Sequence, residues 1–246
     1  PSPRGRYNLV VVGAGTAGLV AAAGAAGLGA RVALIERHQF GGDCLNTGCV
    51  PSKAVIRAAR AAWDARNAAE FGVRGEAASP VDFAAVMERM RRLRTAIAPN
   101  DSVDRFSKLG VDVFLGDAKF VSGSRIEVNG VALEFSKAVI ATGARAAVPS
   151  IPGLADAGSL TNETVFNLTS LPKRWLVLGA GPIGCELAQS FHRFGASVTV
   201  MALDSRLLPR EDPDASAVLQ TRFVREGIGL ELGVKPLRVE RSGETR

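Results

Sequence analysis

The chain is poor in sulfur, in rings and in imidazole: its 246 residues include three Cys, eleven Phe, two Trp, one Tyr and two His. So few cysteines do not build the disulfide framework of a small secreted scaffold. A reducing, cytoplasmic setting is expected, where a retained cysteine pair is more often catalytic or metal-binding than structural. No basic segment followed by an apolar core resembles a secretory signal. No apolar run reaches the roughly eighteen residues that span a bilayer, because glycine interrupts "YNLVVVGAGTAGLVAAAGAAGLGA" throughout, so no membrane partner is expected. The scarcity of aromatics also counts against nucleic acid: 30 basic residues are scattered among 24 acidic ones, with no basic stripe interleaved with stacking rings. The densest basic run, "ERMRRLR" at 88–94, reads as the wet face of a helix. Because the first residue is Pro1 rather than Met, the chain is expected to be a trimmed or processed piece of a longer protein.

What the chain does have is 27 glycines and 47% hydrophobic residues, enough for one or two ordinary cores. A buried strand is expected at 8–12 ("NLVVV"), then a glycine turn, a helix of small residues to about 28 and a second strand at 31–36 ("RVALIE"), a β-α-β unit. Two helices follow at 52–71 and 80–98, expected to pack as a pair. From 111 to 141 the pattern shortens to alternating runs, with Asn129-Gly130 as a hairpin turn, which predicts a small antiparallel meander ending in a buried strand. The Pro- and Gly-rich stretch "GARAAVPSIPGLADAGSLTN" reads as a crossover linker, and a second β-α-β unit opens at Trp175. "LVVVGAGTAGLVAAAGAAGLGARVALIE" lies on "WLVLGAGPIGCELAQSFHRFGASVTVMA" with a constant offset of 166 and no gaps. The expected fold is therefore α/β, with two Rossmann-like dinucleotide-binding units and a small meander, divided into 1–149 and 150–246.

Each copy carries G-x-G-x-x-G directly after a strand and opening a helix, the context in which that fingerprint has physical meaning. Gly13 and Gly179 allow the tight turn, Gly15 and Gly181 let backbone approach a pyrophosphate, and Gly18 and Gly184 let helix and strand pack closely. The phosphates would rest on the free N–H groups at the positive end of the helix. Glu36 ends the second strand 23 residues after Gly13, where an acid takes both ribose hydroxyls, which suits an unphosphorylated adenosine ribose such as that of FAD. The same offset puts Ala202 in the second unit. With no carboxylate there to repel a 2′-phosphate, NADPH is favoured over NADH, Arg206 or Arg210 serving as the phosphate partner; Asp204 lies close by.

In "GGDCLNTGCVPSK" (41–53), Cys44 and Cys49 stand five positions apart. An ideal α-helix would hold their Cα atoms roughly 8.6 Å apart, beyond the reach of about 7 Å that a disulfide allows. Pro51 argues against continuous helix here, because it lacks the N–H that would bond to the carbonyl of Thr47, and Gly48 loosens the segment further. The backbone can then deviate enough for the two to pair, and a strained pair is easier to reduce, which suits catalysis better than bracing. A zinc site is a rival, with His38 and Asp43 completing four ligands at poor spacing. Two unrelated buried thiols are a third reading. Cys185, inside the second unit's helix, reads as a small core residue.

The cysteine stretch resembles the redox signature of the class I pyridine nucleotide-disulfide oxidoreductases. "VIATGARAAVPSIPG" is similar to the segment that closes that family's first flavin-binding portion, and "LVLGAGPIGCELAQSFHRFG" to its nicotinamide-binding turn. Asp43 and "LLPREDPD" at 207–214 look most like the mercuric-reductase branch; dihydrolipoamide dehydrogenase is the alternative enzyme, and a non-catalytic dinucleotide-binding module the alternative from another class. The resemblance implies FAD held by Gly13, Gly15, Gly18, Glu36, Gly42, Asp43, Ala141, Thr142 and Gly143, and NADP or NAD held by Gly179, Gly181 and Gly184. It implies a redox-active Cys44–Cys49 disulfide, with Cys49 facing the flavin and Cys44 meeting a small-molecule or metal-ion substrate. Lys53 matches the lysine near the flavin and Glu186 its partner near the nicotinamide. The family's last flavin-contacting segment and its dimerisation domain with a His–Glu pair are expected beyond residue 246; the full protein is expected to be a homodimer, and the 246-residue portion alone inactive.

Overall fold

A computed structural model describes residues 2–73 and 80–240; Pro1 lies outside them. In chain order the elements are β1 (Tyr7–Val12), α1 (Thr16–Gly27), β2 (Val32–Glu36), α2 (Gly42–Asn46), α3 (Cys49–Arg66), α4 (Phe83–Ile97), α5 (Val103–Lys108), β3 (Asp112–Leu115), β4 (Ala118–Ser122), β5 (Arg125–Val128) and β6 (Val131–Ile140). There follow α6 (Asn162–Val165), β7 (Arg174–Leu178), α7 (Pro182–Phe194), β8 (Ser197–Ala202), α8 (Pro213–Glu226) and β9 (Gly229–Leu232). The chain forms two compact units, one from 1–51 with 91–145 and the other from 52–90 with 146–246. The architecture is the expected mixed α/β, Rossmann-like one.

The first unit is built on a six-stranded sheet in the order β3-β2-β1-β6-β5-β4. Its β-branched central strands pair in parallel, β1 with β2 and β6, and β2 with β3. Parallel strands need both faces covered. Tyr7, Val10, Ala33 and Ile35 accordingly pack on one side with Phe114, Ile126 and Leu133, while Val11, Val32 and Leu34 pack on the other with Leu19, Ala22 and Phe106. β5 pairs antiparallel with β4 and, through the hairpin turn at Asn129 (φ 49°) and Gly130 (φ 76°), with β6, the two positive φ values being those a tight hairpin requires. One expectation is corrected here. β3, read from sequence as the first run of the meander, joins the parallel sheet beside β2, because its apolar run is buried and a meander edge strand would not be.

In the second unit β7, β8 and β9 form a three-stranded parallel sheet. The internal repeat is repeated in atoms. Leu9 pairs with Val32 and Trp175 with Val198; Gly13 N–H donates to the Ile35 carbonyl and Gly179 N–H to the Met201 carbonyl, both at 2.8 Å; every number in the second copy is the first plus 166. The core of this unit gathers Ala54, Val55, Ala59, Phe83, Met87 and Met90 of α3 and α4 with Cys185, Ala188, Phe191 and Phe194 of α7. The pairing of those two helices is thus as expected, though α3 starts at Cys49 rather than Ser52 and gives way after Arg66 to a short 3₁₀ turn at Ala68–Phe71. Pro51 falls in the first turn of α3, where its missing N–H forgoes no helical bond.

Candidate functional site

In the first unit the segment between β2 and α3 folds down on the glycine turn. Gly41 and Gly42 both have positive φ (87° and 54°), which turns the chain sharply enough for α2 to start against the turn: Gly41 N–H donates to the Ala14 carbonyl at 2.9 Å. A Cβ on Gly42 would lie 2.5 Å from Gly15 Cα, and one on Gly13 would collide with the Ala141 carbonyl, whose own N–H bonds Val12 O at 2.8 Å. The backbones of three stretches far apart in sequence therefore meet, 13–15 with 41–42 on one side and with 141–142 on the other. Glu36 stands at the end of β2 with Oε2 accepting from Ala14 N–H and Oε1 from His38 N–H, each at 2.7 Å. Ala141 is half-buried, and Thr142 and Gly143 are exposed.

The helix breaks between the cysteines. α2 ends at Asn46, Thr47 leaves the helical region (φ −138°), and Gly48 packs so closely that a Cβ there would sit 2.8 Å from the Asp43 carbonyl. Cys44 is on α2 and Cys49 opens α3, so neither belongs to the other's helix. Both are thiols in this structure, Cys44 half-buried and Cys49 exposed, and the two thiols hydrogen-bond to each other. Burial pushes the Cys44 thiol above its ordinary value, the Cys49 contact raises it further, and a hydrogen bond with the Thr16 hydroxyl works the other way; the Asp101 carboxylate adds to the rise. Thr16 and Asp101 were not found from the sequence. Thr16 is an unspecified position within the glycine fingerprint, and nothing in its type or spacing announces a contact with a cysteine 28 residues on. Asp43 accepts from the Thr47 hydroxyl at 3.1 Å, and His38 is exposed. Among the described residues no three metal-ligating side chains converge.

In the second unit Gly184 repeats the packing of Gly18: a Cβ would lie 2.5 Å from Gly179 O and 3.3 Å from Val177 Cγ1, and Gly18 stands in the same relation to Gly13 O and Val11 Cγ1. Gly179 and Gly181 have open space where a Cβ would go. Lys53 Nζ and Glu186 Oε1, 133 residues apart, form an ion pair at 2.6 Å, with the lysine side chain 61% exposed. Cys185 is buried, its thiol facing the Ala180 carbonyl at 3.5 Å, and burial pushes it up to about 11, so it is an inert core residue as expected. Ala202 is buried at the end of β8. In the loop beyond it Arg206 Nη2 donates to Pro209 O at 2.8 Å while its Nη1 is buried without an acceptor; Arg210 is exposed.

Two glycine turns, each opening a helix directly after a strand, define a dinucleotide-binding class of protein. Residues 7–246 match the family described as pyridine nucleotide-disulphide oxidoreductase, and the chain belongs to it, a family of enzymes whose cofactors are FAD and a pyridine nucleotide. It is 37% identical over 240 residues to a mercuric reductase of Lysinibacillus sphaericus, which covers 98% of this chain and 44% of that one. It is 34% identical over 226 residues to a dihydrolipoyl dehydrogenase of Acholeplasma laidlawii (90% of this chain, 67% of that one). Among solved structures it resembles the Cu(II) complex of the HOCl-induced flavoprotein disulfide reductase RclA of Escherichia coli, with a TM-score of 0.81 and 29% identity over 96% of this chain and 51% of that one. The chain thus spans less than half the length of the mercuric reductase it matches. No helix among the described residues is long and apolar enough to cross a membrane.

Proposed function

We propose that the protein to which this chain belongs is an FAD-dependent NAD(P)H oxidoreductase with a redox-active Cys44/Cys49 pair, most like mercuric reductase. The observation that carries the reading is the contact of the two thiols across a helix break, on a segment whose Gly42 is pressed against the Gly15 turn. The bare backbone at Gly13, Gly15, Gly18, Gly42 and 141–143 fits the pyrophosphate end of FAD, since any Cβ at Gly13, Gly18 or Gly42 would close the gap or push the turn away. Glu36, fixed by two backbone N–H groups, keeps lone pairs for ribose hydroxyls, and Asp43 lies beside Gly42. FAD, when bound, supplies the carrier that takes hydride from the nicotinamide and passes two electrons to the disulfide.

The chain's own residues then do the following. The S–S bond between Cys44 and Cys49 would take up two electrons and break, one proton completing the Cys44 thiol and Cys49 remaining a thiolate. Cys49, the more exposed, is the sulfur on the flavin side, and Cys44 the one that meets substrate. Lys53, paired with Glu186, would supply the positive charge that favours the anionic reduced form of a bound flavin. Gly179, Gly181 and Gly184 receive the pyrophosphate of the nicotinamide nucleotide. NADPH is preferred to NADH, and Arg206, with one nitrogen unpartnered, is better suited to the 2′-phosphate than the solvated Arg210. The substrate is a thiophilic metal ion such as Hg(II); a lipoyl disulfide is the second reading, favoured by the dihydrolipoyl dehydrogenase likeness. The protein works as a homodimer in a reducing, cytoplasmic setting.

The test is spectroscopic. The full-length protein should carry flavin, and two-electron reduction should produce a long-wavelength thiolate-to-flavin charge-transfer band that is lost in Cys49→Ala. A band of unchanged intensity in that variant refutes the assignment of Cys49. NADPH oxidation with Hg(II) and with lipoamide separates the two substrate readings, and turnover with neither favours a binding module.

A further inference from the structure

Far along the same two helices that carry Lys53 and Glu186, a second and much more buried polar group ties α3, α7 and α8 together. At its centre is Glu226, the last residue of α8, whose side chain is completely withdrawn from solvent. Its Oε1 accepts from Arg193 Nη2 at 2.6 Å, Arg222 Nε at 2.5 Å and Gln189 Nε2 at 3.0 Å, and its Oε2 from Arg193 Nε at 2.8 Å. Both guanidinium groups lie against the Trp63 indole of α3, Arg193 at 5.1 Å and Arg222 at 4.6 Å from the ring centroid, within cation–π range. Arg66 of α3 also donates to the Arg193 carbonyl. His192 Nε2 lies 2.5 Å from the Glu226 carbonyl oxygen.

The placement of this cluster along the helices matters more than its energy. On α7, Glu186, Gln189 and Arg193 follow one another at i, i+3 and i+7, so the stripe that offers Glu186 to Lys53 also offers Arg193 to Trp63. The ten residues from Lys53 to Trp63 span about 15 Å of α3, and the seven from Glu186 to Arg193 about 10 Å of α7. α3 and α7 therefore meet in the same direction at two places. The apolar residues of α3 and α7 along that stretch are mostly small: Ala54, Val55 and Ala59 of α3 belong to the same core as Cys185 and Ala188 of α7. Small apolar side chains resist sliding poorly, whereas a carboxylate with four directional donors, two of its guanidinium partners lying against one indole ring, admits one alignment. Setting register is the best-attested use of a buried ionic group, whose net contribution to stability is often small. The Lys53–Glu186 pair cannot set it, because it is largely exposed, and exposed pairs hold their geometry weakly.

We propose that Trp63, Arg193, Arg222 and Glu226 form a positioning clasp that fixes the register of α3 against α7 and thereby holds Lys53 at Glu186. The importance of that pair rests on the function proposed above; the clasp itself does not. The full chain with Arg193→Met, Arg222→Leu and Glu226→Met keeps its fold by circular dichroism, since apolar replacement of a buried ionic cluster is commonly tolerated. Acetylation of Lys53, read by mass spectrometry against exposed Lys235, rises by about two- to fivefold, the loss of an exposed ion pair. Trp63→Leu produces the same rise, and Trp63→Phe, which retains a ring face, does not. If the triple variant does not fold, the two Trp63 variants decide. Unchanged Lys53 labelling in a folded clasp variant overturns the proposal, as does an equal rise in Trp63→Phe and Trp63→Leu. In the flavin-loaded full-length protein, NADPH reduction of the flavin should slow in the same variants. A labelling rise without that slowing upholds the clasp and removes Lys53–Glu186 from the proposed mechanism.

Discussion

The two glycine turns supply a controlled experiment. Gly13→Ala and Gly179→Ala place a methyl group at equivalent positions of the repeat, at φ values of 104° and 111°. Holding an L-residue at positive φ costs roughly 1–2 kcal/mol in either copy. Their surroundings differ. At Gly13 the new Cβ collides with the carbonyl of Ala141, a residue whose N–H is bonded to Val12 O, whereas at Gly179 nothing lies within 4 Å. Forcing a methyl against packed backbone adds about 1–3 kcal/mol, so Gly13→Ala should destabilise its unit by that much more than Gly179→Ala destabilises the other. Hydrogen exchange read on peptides from β1 and β7 reports the two units separately. The extra acceleration at β1 should fall between about fivefold and about 150-fold, at tenfold per 1.4 kcal/mol. Equal acceleration at β1 and β7 would show that positive φ alone fixes these glycines and that the approach of residue 141 to the turn has no energetic weight.

Gly15→Ala separates folding from binding. Gly15 is extended (φ −82°), and its added Cβ would meet Gly42 Cα at an ordinary 3.6 Å. The melting temperature of the chain should be nearly unchanged, while FAD affinity of the full-length protein falls at least tenfold; unchanged affinity would remove the pyrophosphate from this turn. Cys49→Ala should lower the pH at which Cys44 becomes alkylated by iodoacetamide, because two of the causes that raise the Cys44 thiol come from Cys49, whereas Cys185, at about 11, should stay unmodified at pH 8 unless the chain is unfolded. For Glu226, burial pushes the carboxyl up, but hydrogen bonds from Arg193 and Arg222 outweigh it and hold the group below the ordinary carboxylate value. A carboxyl depressed in the folded state stabilises fully above its unfolded value, about pH 4.3, and that contribution is lost as pH falls through the folded value. Glu226→Gln should flatten the acid limb of the stability–pH curve below that point, and an unchanged limb would refute the assignment.

The parallel core, the hairpin at Asn129-Gly130 and both glycine turns were legible because each depends on local patterns: β-branched runs, a dipeptide with two positive φ values, glycines between strand and helix. Pro51 was read correctly as incompatible with one helix through both cysteines, since α2 and α3 are separate, but α3 begins ahead of it rather than after it. β3 was misplaced because a four-residue apolar run does not declare whether its neighbour is parallel or antiparallel. The packing of 52–66 with 146–246 was hidden for a related reason: helical periodicity shows which face is buried and not what it is buried against. Trp63, Arg193 and Glu226 are separated by up to 163 positions, and each alone reads as an unremarkable surface residue.

Only four residues separate Cys44 from Cys49, and a helix end anchors each of them. Ring closure between those sulfurs is consequently an intramolecular event with a high effective concentration. A mixed disulfide formed by an outside thiol at one sulfur would be displaced by the other before a second thiol arrived, so such adducts are transient. On the function proposed above, the same tether would let the reduced pair chelate a soft ion small enough to bridge it, and release of such an ion would require both sulfurs to let go.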